Sequence, residues 1–510
     1  MNDARRNLAA VATNYLRFAA GMAVVFAVTP IAVRQLGSHG FGLWTLAVAS
    51  IGLIGLLEAG IATTAVRFAG TAEGAGNVAD RNRYLATLAS VAMPLGCLIL
   101  AAAWVGAPWL ARLLGLEPAD AATFTLLVRA GGAAVGLSLP AGMWRAALVA
   151  RGDLPVTNLI ETVAVLAGAA VTVAGLMHGS GAAAMVAGFS VTTLGPALVY
   201  APFAYRRCRS LSISRRHASA TTLREIRGFA GAATAANTAN VAALRCEPML
   251  VNAFLPIATV AHYSVAARIA EYLLLLGKQF SNALTPAIAR AHGAGDPDAI
   301  RRVLLGGTGM LFALTALGAS IAGLQARDLL AVWLGPEFTD AAPALRWLLG
   351  AAVVSSLSMN AANALGMTGR HRLIAVSCTA AALLRLGGGA LLLPRFGLEG
   401  PGMAAILAAA SLEIGLVLRR ACKLFDIRAP EFFRIALLPG LAGSAALWIA
   451  AAGLRGLIDA SDWGGIALQS ALLTAVFSAA CIPFATGLRL KLPGARARGG
   501  RSALTAAAQT

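Results

Sequence analysis

The chain has 510 residues, of which 58% are hydrophobic and only 12% are charged, and its mean hydropathy is +0.74. Soluble domains are about half apolar and about one quarter charged, so this composition excludes an ordinary soluble protein and predicts one that crosses a membrane many times. The formal net charge is +19. Because the basic residues fall mainly in short segments between apolar stretches, they are better explained by membrane topology than by binding to nucleic acid, and we predict no nucleic-acid partner.

Fourteen stretches are long and apolar enough to cross the hydrocarbon core of a bilayer, which takes about 20 residues of helix. We therefore predict an all-α polytopic membrane protein, with no loop long enough to hold a catalytic domain. The predicted spans cover residues 14–33, 41–66, 84–107, 121–144, 155–177, 182–203, 228–252, 257–284, 303–324, 341–366, 373–393, 399–418, 435–454 and 464–488.

The distribution of basic residues predicts the orientation of these spans. With both termini in the cytoplasm, 28 of the 41 Lys and Arg residues fall in cytoplasmic segments and five on the opposite side. Such an excess is typical of cytoplasmic loops. The run of arginines at 206–216 predicts a cytoplasmic linker that contacts anionic lipid headgroups.

The two halves of the chain resemble each other at an offset of about 220 residues, a sign of an internal repeat. For example, Arg129 precedes Arg151-Gly152 much as Arg346 precedes Gly369-Arg370. Transporters often bind their substrate between two such halves. The predicted parts are a six-helix bundle (1–203), a basic cytoplasmic linker (204–227), a second six-helix bundle (228–421), two additional helices (422–488) and a cytoplasmic tail (489–510).

Eight basic and five acidic residues fall within or at the ends of the predicted spans, where an ionisable side chain is costly and normally faces a polar interior. On the eighth span, Ser264, Arg268, Glu271, Lys278 and Asn282 recur at helical spacing and predict one polar stripe. The stripe predicts either a water-filled cavity or a face that packs on another helix with its charges paired, such as Arg268 with Glu271 one turn away. The charges inside the spans are mainly basic, and a cavity with excess arginine suits an anionic substrate such as a pyrophosphate.

Several short motifs in the first hundred residues resemble the Wzx-type polysaccharide flippases of the MATE-like MOP superfamily. The resemblance implies a V-shaped pair of six-helix bundles with two extra helices. It also implies alternating access, by which an undecaprenyl-pyrophosphate-linked oligosaccharide crosses the bacterial cytoplasmic membrane for cell-surface polysaccharide biosynthesis. The motifs are Asn14-Tyr15-Leu16-Arg17, Pro30, Arg34-Gln35-Leu36-Gly37, Phe41-Gly42-Leu43-Trp44, Gly55-Leu56-Leu57-Glu58-Ala59-Gly60 and Arg67-Phe68.

The resemblance further implies a cationic cavity that holds the pyrophosphate and sugar, and a monomer that works beside polysaccharide polymerase machinery. By position and charge, the substrate-binding candidates are Arg129, Arg268, Lys278, Arg346 and Arg385. The cavity or coupling carboxylate candidates are Glu58, Glu247 and Glu271. Glu247 would either bind a coupling cation or be neutralised by its neighbour Arg245, and the sequence leaves both interpretations open.

Two other functions remain as alternatives. A cation-coupled antiporter for small molecules would need a more acidic or aromatic cavity, and aromatic residues make up 6% of the chain. A membrane polysaccharide polymerase or ligase would need a long external loop with catalytic residues. The longest external segment, about 325–340, is short and lacks an obvious catalytic set, so we predict a protein that is not an enzyme. No cysteine or histidine has metal-ligand spacing, and we predict no metal or cofactor.

Overall fold

The structure is a computed structural model that describes residues 3–58, 60–208, 210–454 and 461–489, with side chains except at 3–8, 57–58, 227–240, 454 and 485–489. The described residues form helices and no strand, which confirms the all-helical prediction. Eleven helical stretches are long and apolar enough to cross a membrane, and the first of them, Ala9–Ile54, holds two predicted spans. The remaining two predicted spans are helices of 35 and 37 residues that contain the charges described below.

The helices follow one another with short connections. In chain order they are α1 (Asp3–Ile54), α2 (Ile61–Gly74), α3 (Val78–Leu113), α4 (Pro118–Ser138), α5 (Gly142–Ala150), α6 (Leu154–Met177), α7 (Ala182–Arg207), α8 (Ala220–Phe254), α9 (Ile257–Gly293), α10 (Pro297–Leu324), α11 (Ala326–Leu334), α12 (Ala342–Met367), α13 (His371–Phe396), α14 (Glu399–Ala408), α15 (Arg419–Leu424), α16 (Ala429–Phe432), α17 (Leu438–Leu454) and α18 (Trp463–Arg489).

The first two predicted spans differ in detail from the structure, and glycines explain both differences. No loop separates them, because α1 runs through both with a single non-helical residue, Gly37, at φ 68°. The second predicted span, 41–66, is not one continuous helix. It passes into a 3₁₀ turn at Gly55–Glu58, and the chain then enters α2 through Gly60 at φ 103°. Only glycine adopts these positive φ values without strain.

The two halves of the chain, residues 3–207 and 220–424, use the same pattern of neighbours. In the first half α1 packs on α6, α3 on α4, and α6 on α7. In the second half α8 packs on α13, α10 on α12, and α13 on α14 in the corresponding places. Helices α17 and α18 pack on each other, and α17 also packs along α10.

The two ends of the bundle differ in how the halves meet. We call the end with Arg81, the 206–216 run and Arg419 the basic side, and the opposite end the far side. On the far side one core cluster contains residues of both halves, such as Trp44 and Tyr263. Towards the basic side the apolar residues form two separate clusters, one within residues 61–226 and one within 288–437.

Close backbone contact joins the halves on the far side. A Cβ atom on Gly42 of α1 would lie 2.3 Å from the carbonyl oxygen of Ile257, at the start of α9. Asn252 of α8 donates a hydrogen bond to the carbonyl oxygen of Leu114, at 2.9 Å. Phe26 of α1 stacks on Trp333 of α11, with the ring centroids 4.7 Å apart. The halves are therefore closed against each other at the far side.

Candidate functional site

A cavity of about 830 Å³ lies between the halves. This volume is within the range of roughly 300–1,000 Å³ that ligand sites occupy. Of the side chains that the structure describes, the first half contributes to the lining only from α1 and Met185, and these residues are apolar apart from Thr29 and Thr45. All the charged residues in this part of the lining come from the second half. The basic ones are Arg245, Arg268, Lys278 and Arg385, and the acidic ones are Glu247, Glu271 and Glu413.

The polar stripe predicted on the eighth span lies along the cavity. All five of its members, from Ser264 to Asn282 on α9, belong to the lining. The Ser264 hydroxyl is buried and has no hydrogen-bond partner in the described part of the chain. Arg268 and Glu271 form the ion pair expected one turn apart, at 2.9 Å, and their side chains are 41% and 37% exposed. The stripe therefore combines a pair within one helix with groups that face open space.

Arg385 is the most enclosed cation of the cavity, and it is fully paired. Its guanidinium donates to both oxygens of Glu247, the Nη2–Oε2 distance being 3.0 Å. The hydroxyl of Tyr263 also donates to Glu247, at 2.7 Å. The Glu247 side chain is 3% exposed. The partner that neutralises Glu247 is therefore Arg385 from α13 and not Arg245, and these three groups connect α8, α9 and α13.

Two other cations of the lining, Arg245 and Lys278, have no ion-pair partner among the residues that the structure describes. Arg245 extends from α8 across Gly52 of α1, where a Cβ atom would lie 2.7 Å from the arginine Cδ and Nε atoms. Because Gly52 has no side chain, the Arg245 side chain of the second half can lie directly against α1 of the first half. The sequence suggested Arg245 only as a partner for Glu247, and it was not among the predicted binding residues. The signal that sequence reasoning missed is a small residue on the facing helix.

Glu413 is a third cavity carboxylate that the candidate list omitted. It lies within Ala409–Leu418, where the helix continues from α14 with π-helical hydrogen bonding. Such segments occur frequently at functional sites. Its Oε2 lies 3.0 Å from the hydroxyl of Ser358 on α12, and no cation pairs with it in the described residues.

Two predicted cavity residues lie elsewhere, and the prediction that they line the cavity is corrected here. Arg129 donates from Nε to the carbonyl oxygen of Trp104, at 3.0 Å, with its guanidinium over the Trp104 ring. In α3 that carbonyl would accept from residue 108, but Pro108 has no N–H to donate. Arg346 donates to the carbonyl of Gly323, at 2.9 Å, in the last turn of α10, where carbonyls lack helical donors. Both arginines therefore satisfy backbone groups.

The first half also contains carboxylates within its predicted spans. The side chain of Glu58 lies outside the described residues. Outside the cavity lining, Glu161 of α6 accepts from Arg17, at 2.6 Å, and from Arg145, at 2.7 Å. Tyr200 also donates to it, at 2.7 Å. The first half therefore neutralises its own intramembrane carboxylate. The binding roles of Arg268, Lys278 and Arg385 stay predictions.

The chain is similar in sequence and in structure to known membrane transporters. The MatE family model matches residues 248–391, which include most of the cavity lining from the second half. An inward-facing multidrug resistance MATE family transporter of the MOP superfamily is similar in structure at 16% identity. That match covers 80% of this chain and 100% of the other, with a TM-score of 0.64. No curated protein sequence matches the chain.

Two further solved structures are similar. The outward-facing form of a multidrug resistance MATE family transporter aligns at 16% identity, with 82% and 96% of the chains covered and a TM-score of 0.58. The lipid II flippase MurJ, in an inward closed conformation, aligns at 9% identity, with 92% and 98% covered and a TM-score of 0.63. The chain is a multi-pass membrane protein with the fold that MATE transporters and MurJ share.

Proposed function

We propose that the protein moves an anionic lipid-linked oligosaccharide across the bacterial cytoplasmic membrane by alternating access. The observation that carries the proposal is the charge of the cavity. Two of its cations, Arg245 and Lys278, have no carboxylate partner in the described residues, and the Ser264 hydroxyl is free to bond. An unpaired cation inside a membrane protein is costly unless an anion completes the site.

The position of these cations in a cavity between the halves supports a phosphate-bearing substrate; Arg245 is partly buried, and Lys278 is exposed. A pyrophosphate group needs several charge-assisted hydrogen bonds when it leaves water, and guanidinium and ammonium groups provide them. The carrier lipid of the proposal is undecaprenyl pyrophosphate. The similarity to the lipid II flippase MurJ supports a lipid-linked substrate. It covers 92% of this chain, whereas the similarity to the inward-facing multidrug transporter covers 80%.

The direction follows from the proposed orientation, in which the basic side faces the cytoplasm. With the far side closed, the cavity would load from the cytoplasmic leaflet. Release would require the halves to part on the far side and to meet on the basic side. Anionic lipids of the cytoplasmic leaflet would contact the 206–216 run.

Reconstitution tests the proposal directly. Proteoliposomes loaded with a lipid-linked pyrophosphate oligosaccharide are treated with periodate, which oxidises only sugars exposed outside. We expect the protein to expose the protected pool, Lys278→Gln to slow exposure, and Lys278→Arg to retain it. Arg129→Gln serves as the matched control, since Arg129 lies outside the cavity. Equal exposure with and without protein would reject the proposal.

A cation-coupled small-molecule antiporter is the second candidate. It is favoured by the MatE match over residues 248–391 and by the three carboxylates of the cavity. If the same proteoliposomes leave the sugar protected but exchange a cationic dye for protons or sodium, this candidate replaces the first.

A further inference from the structure

The three cavity carboxylates differ in their partners. Glu247 and Glu271 are each paired with a guanidinium. Glu413 has no such partner among the described residues, and its contact is the hydroxyl of Ser358. In the membrane interior, a carboxylate without a cation beside it has a less stable ionised form than a paired carboxylate. Of the three, Glu413 therefore binds a proton most readily.

The hydrogen bonds of Ser358 allow Glu413 to exist in two protonation states. The Ser358 oxygen lies 3.0 Å from the carbonyl oxygen of Ser355 and 3.0 Å from Glu413 Oε2. A serine hydroxyl has a single proton to donate. When Glu413 is ionised, Ser358 donates to it. When Glu413 is protonated, its own O–H donates to the Ser358 oxygen, and Ser358 donates back to the Ser355 carbonyl. Neither state leaves a buried polar group unpaired.

The charged and titratable groups around Glu413 come from several helices. Helix α12 contributes no charged residue to the described lining, and its polar members are Ser355, Ser358 and Asn363. Helix α13 contributes Cys378 and the paired Arg385, and α9 contributes Lys278 and the Arg268–Glu271 pair across the cavity. Arg419 and Arg420 are exposed beyond the same helix, where it passes into α15.

The charge balance links Glu413 to the ligand. With the two ion pairs set aside, the charged residues left in the described lining are the cations Arg245 and Lys278 and the carboxylate Glu413. A bound anion would take over these cations and add negative charge near Glu413. An anion about 10 Å from a carboxylate, at an effective dielectric constant of about 20, raises its proton affinity roughly tenfold.

We propose that Glu413 is a proton-binding site and that binding of a phosphate-bearing anion in the cavity takes up a proton there. The proton comes from bulk water and forms an O–H bond on the Glu413 carboxylate, and it is released when the anion leaves. By linkage, protonation of Glu413 strengthens anion binding by the same factor. This inference rests on the proposed anionic cavity, and it adds that the load carries less net negative charge than the anion alone.

Calorimetry on the full-length purified protein tests the proposal with inorganic pyrophosphate as the probe. Titrations in two buffers of different ionisation enthalpy, repeated between about pH 5 and 7.5, give the protons bound per anion, and the range starts above the usual carboxyl pKa. Because pyrophosphate itself binds and releases protons in this pH range, the measurement is the difference between wild type and Glu413→Gln in the number of protons taken up per bound anion. We expect wild type to take up more protons than Glu413→Gln, with the difference approaching one proton per bound anion. Glu413→Gln should bind pyrophosphate and show only the proton uptake of pyrophosphate itself.

The control is Glu399→Gln, which alters a half-buried carboxylate that accepts from Trp347 outside the cavity lining. It should behave as wild type. Equal uptake by wild type and Glu413→Gln would overturn the proposal while leaving the anionic cavity intact, and no binding by wild type would overturn both. Glutamine reproduces the hydrogen bonds of the neutral acid, so the variant should fold. Infrared difference spectra of wild type provide a second measurement, in which a protonated carboxyl band should appear with the probe and be missing in the variant.

Discussion

Trp333 of α11 donates a hydrogen bond from its indole nitrogen to the backbone carbonyl of Phe26 in α1, at 2.9 Å. In a regular helix this carbonyl would accept from residue 30, but Pro30 has no N–H. An indole from one half of the molecule thus satisfies a carbonyl that a proline leaves free in the other half. The bond forms at the far side, so it contributes only while that side is closed.

We expect Trp333→Phe to weaken closure of the far side. The ring stacking on Phe26 would persist, while a hydrogen bond worth about 0.5–1.5 kcal/mol would be lost. The measurement is the reaction rate of Ser264→Cys, in a cysteine-free background, with an impermeant maleimide added from the far side. The rate should rise about two- to tenfold. In a Pro30→Ala background the rise should shrink, because residue 30 then supplies the missing donor, and an equal rise in both backgrounds would contradict this role.

Gly42 sets the closest approach between the halves. An alanine there would place its Cβ 2.3 Å from the Ile257 carbonyl oxygen, and a backbone clash cannot be relieved by turning a side chain. We expect Gly42→Ala to separate α1 from α9 and to increase far-side labelling more than Trp333→Phe does, with a cost of roughly 1–3 kcal/mol to the closed state. Gly21→Ala is the matched control on the same helix, since nothing lies within 4 Å of its Cβ. Unchanged labelling of Gly42→Ala would show that the halves do not meet this closely.

Removal of Arg385 should destabilise the protein before it affects binding. Arg385→Ala leaves Glu247, whose side chain is 3% exposed, without its cation. Breaking one member of a buried pair typically costs about 3–5 kcal/mol. Thermal unfolding in detergent should show a clear loss for Arg385→Ala and recovery in the Glu247→Gln/Arg385→Gln double variant. Arg268→Ala, which removes a 41% exposed side chain, should change the midpoint little, and an equal loss in both single variants would contradict the argument.

Glu271→Gln should strengthen anion binding. The variant releases Arg268 from its pair and removes a negative charge from the cavity lining. A partly exposed pair is worth about 0.2–1 kcal/mol, so we expect the Kd for pyrophosphate to fall by up to roughly fivefold. The effect should disappear in the Glu271→Gln/Arg268→Gln double variant. A weaker affinity in the single variant would place the anion away from α9.

Arg129 should matter for stability and not for the ligand. Arg129→Gln leaves the Trp104 carbonyl without its donor and loses the guanidinium over the ring, which should lower the free energy of unfolding by about 1–2 kcal/mol. Pyrophosphate affinity should be unchanged. The loss should be smaller in a Pro108→Ala background, where residue 108 can donate to Trp104. A large drop in the pyrophosphate affinity of Arg129→Gln would show that Arg129 does take part in binding.

The sequence predicted best those features that depend on local periodicity. The hydropathy of the spans predicted an all-helical membrane protein, and the three- and four-residue spacing on α9 predicted one polar stripe, whose five members all line the cavity. Both signals follow from helix geometry alone. The break at Gly60 was missed, because a single left-handed residue changes the direction of the chain without changing its hydropathy.

The sequence was less informative where a charged residue has several possible partners distant in the chain. Arg129 and Arg346 are basic and lie inside spans like Arg268, but they bond to carbonyls on neighbouring helices. Whether such a carbonyl needs a donor depends on a proline or a helix end in another element. The partner of Glu247 was equally uncertain, since Arg385 lies 138 residues away and Arg245 only two.

The asymmetry of the cavity has a consequence for the energy of a transport cycle. Among the described residues, every ionisable group of the lining belongs to the second half, and the first half offers an apolar wall with two threonines. An anion held by the second half would keep the same ionic neighbours while the first half swings from one side to the other. The electrostatic energy of the loaded carrier would then stay nearly level along the path. The barrier would be set by the apolar surfaces of α1 and α9 as they separate and meet again.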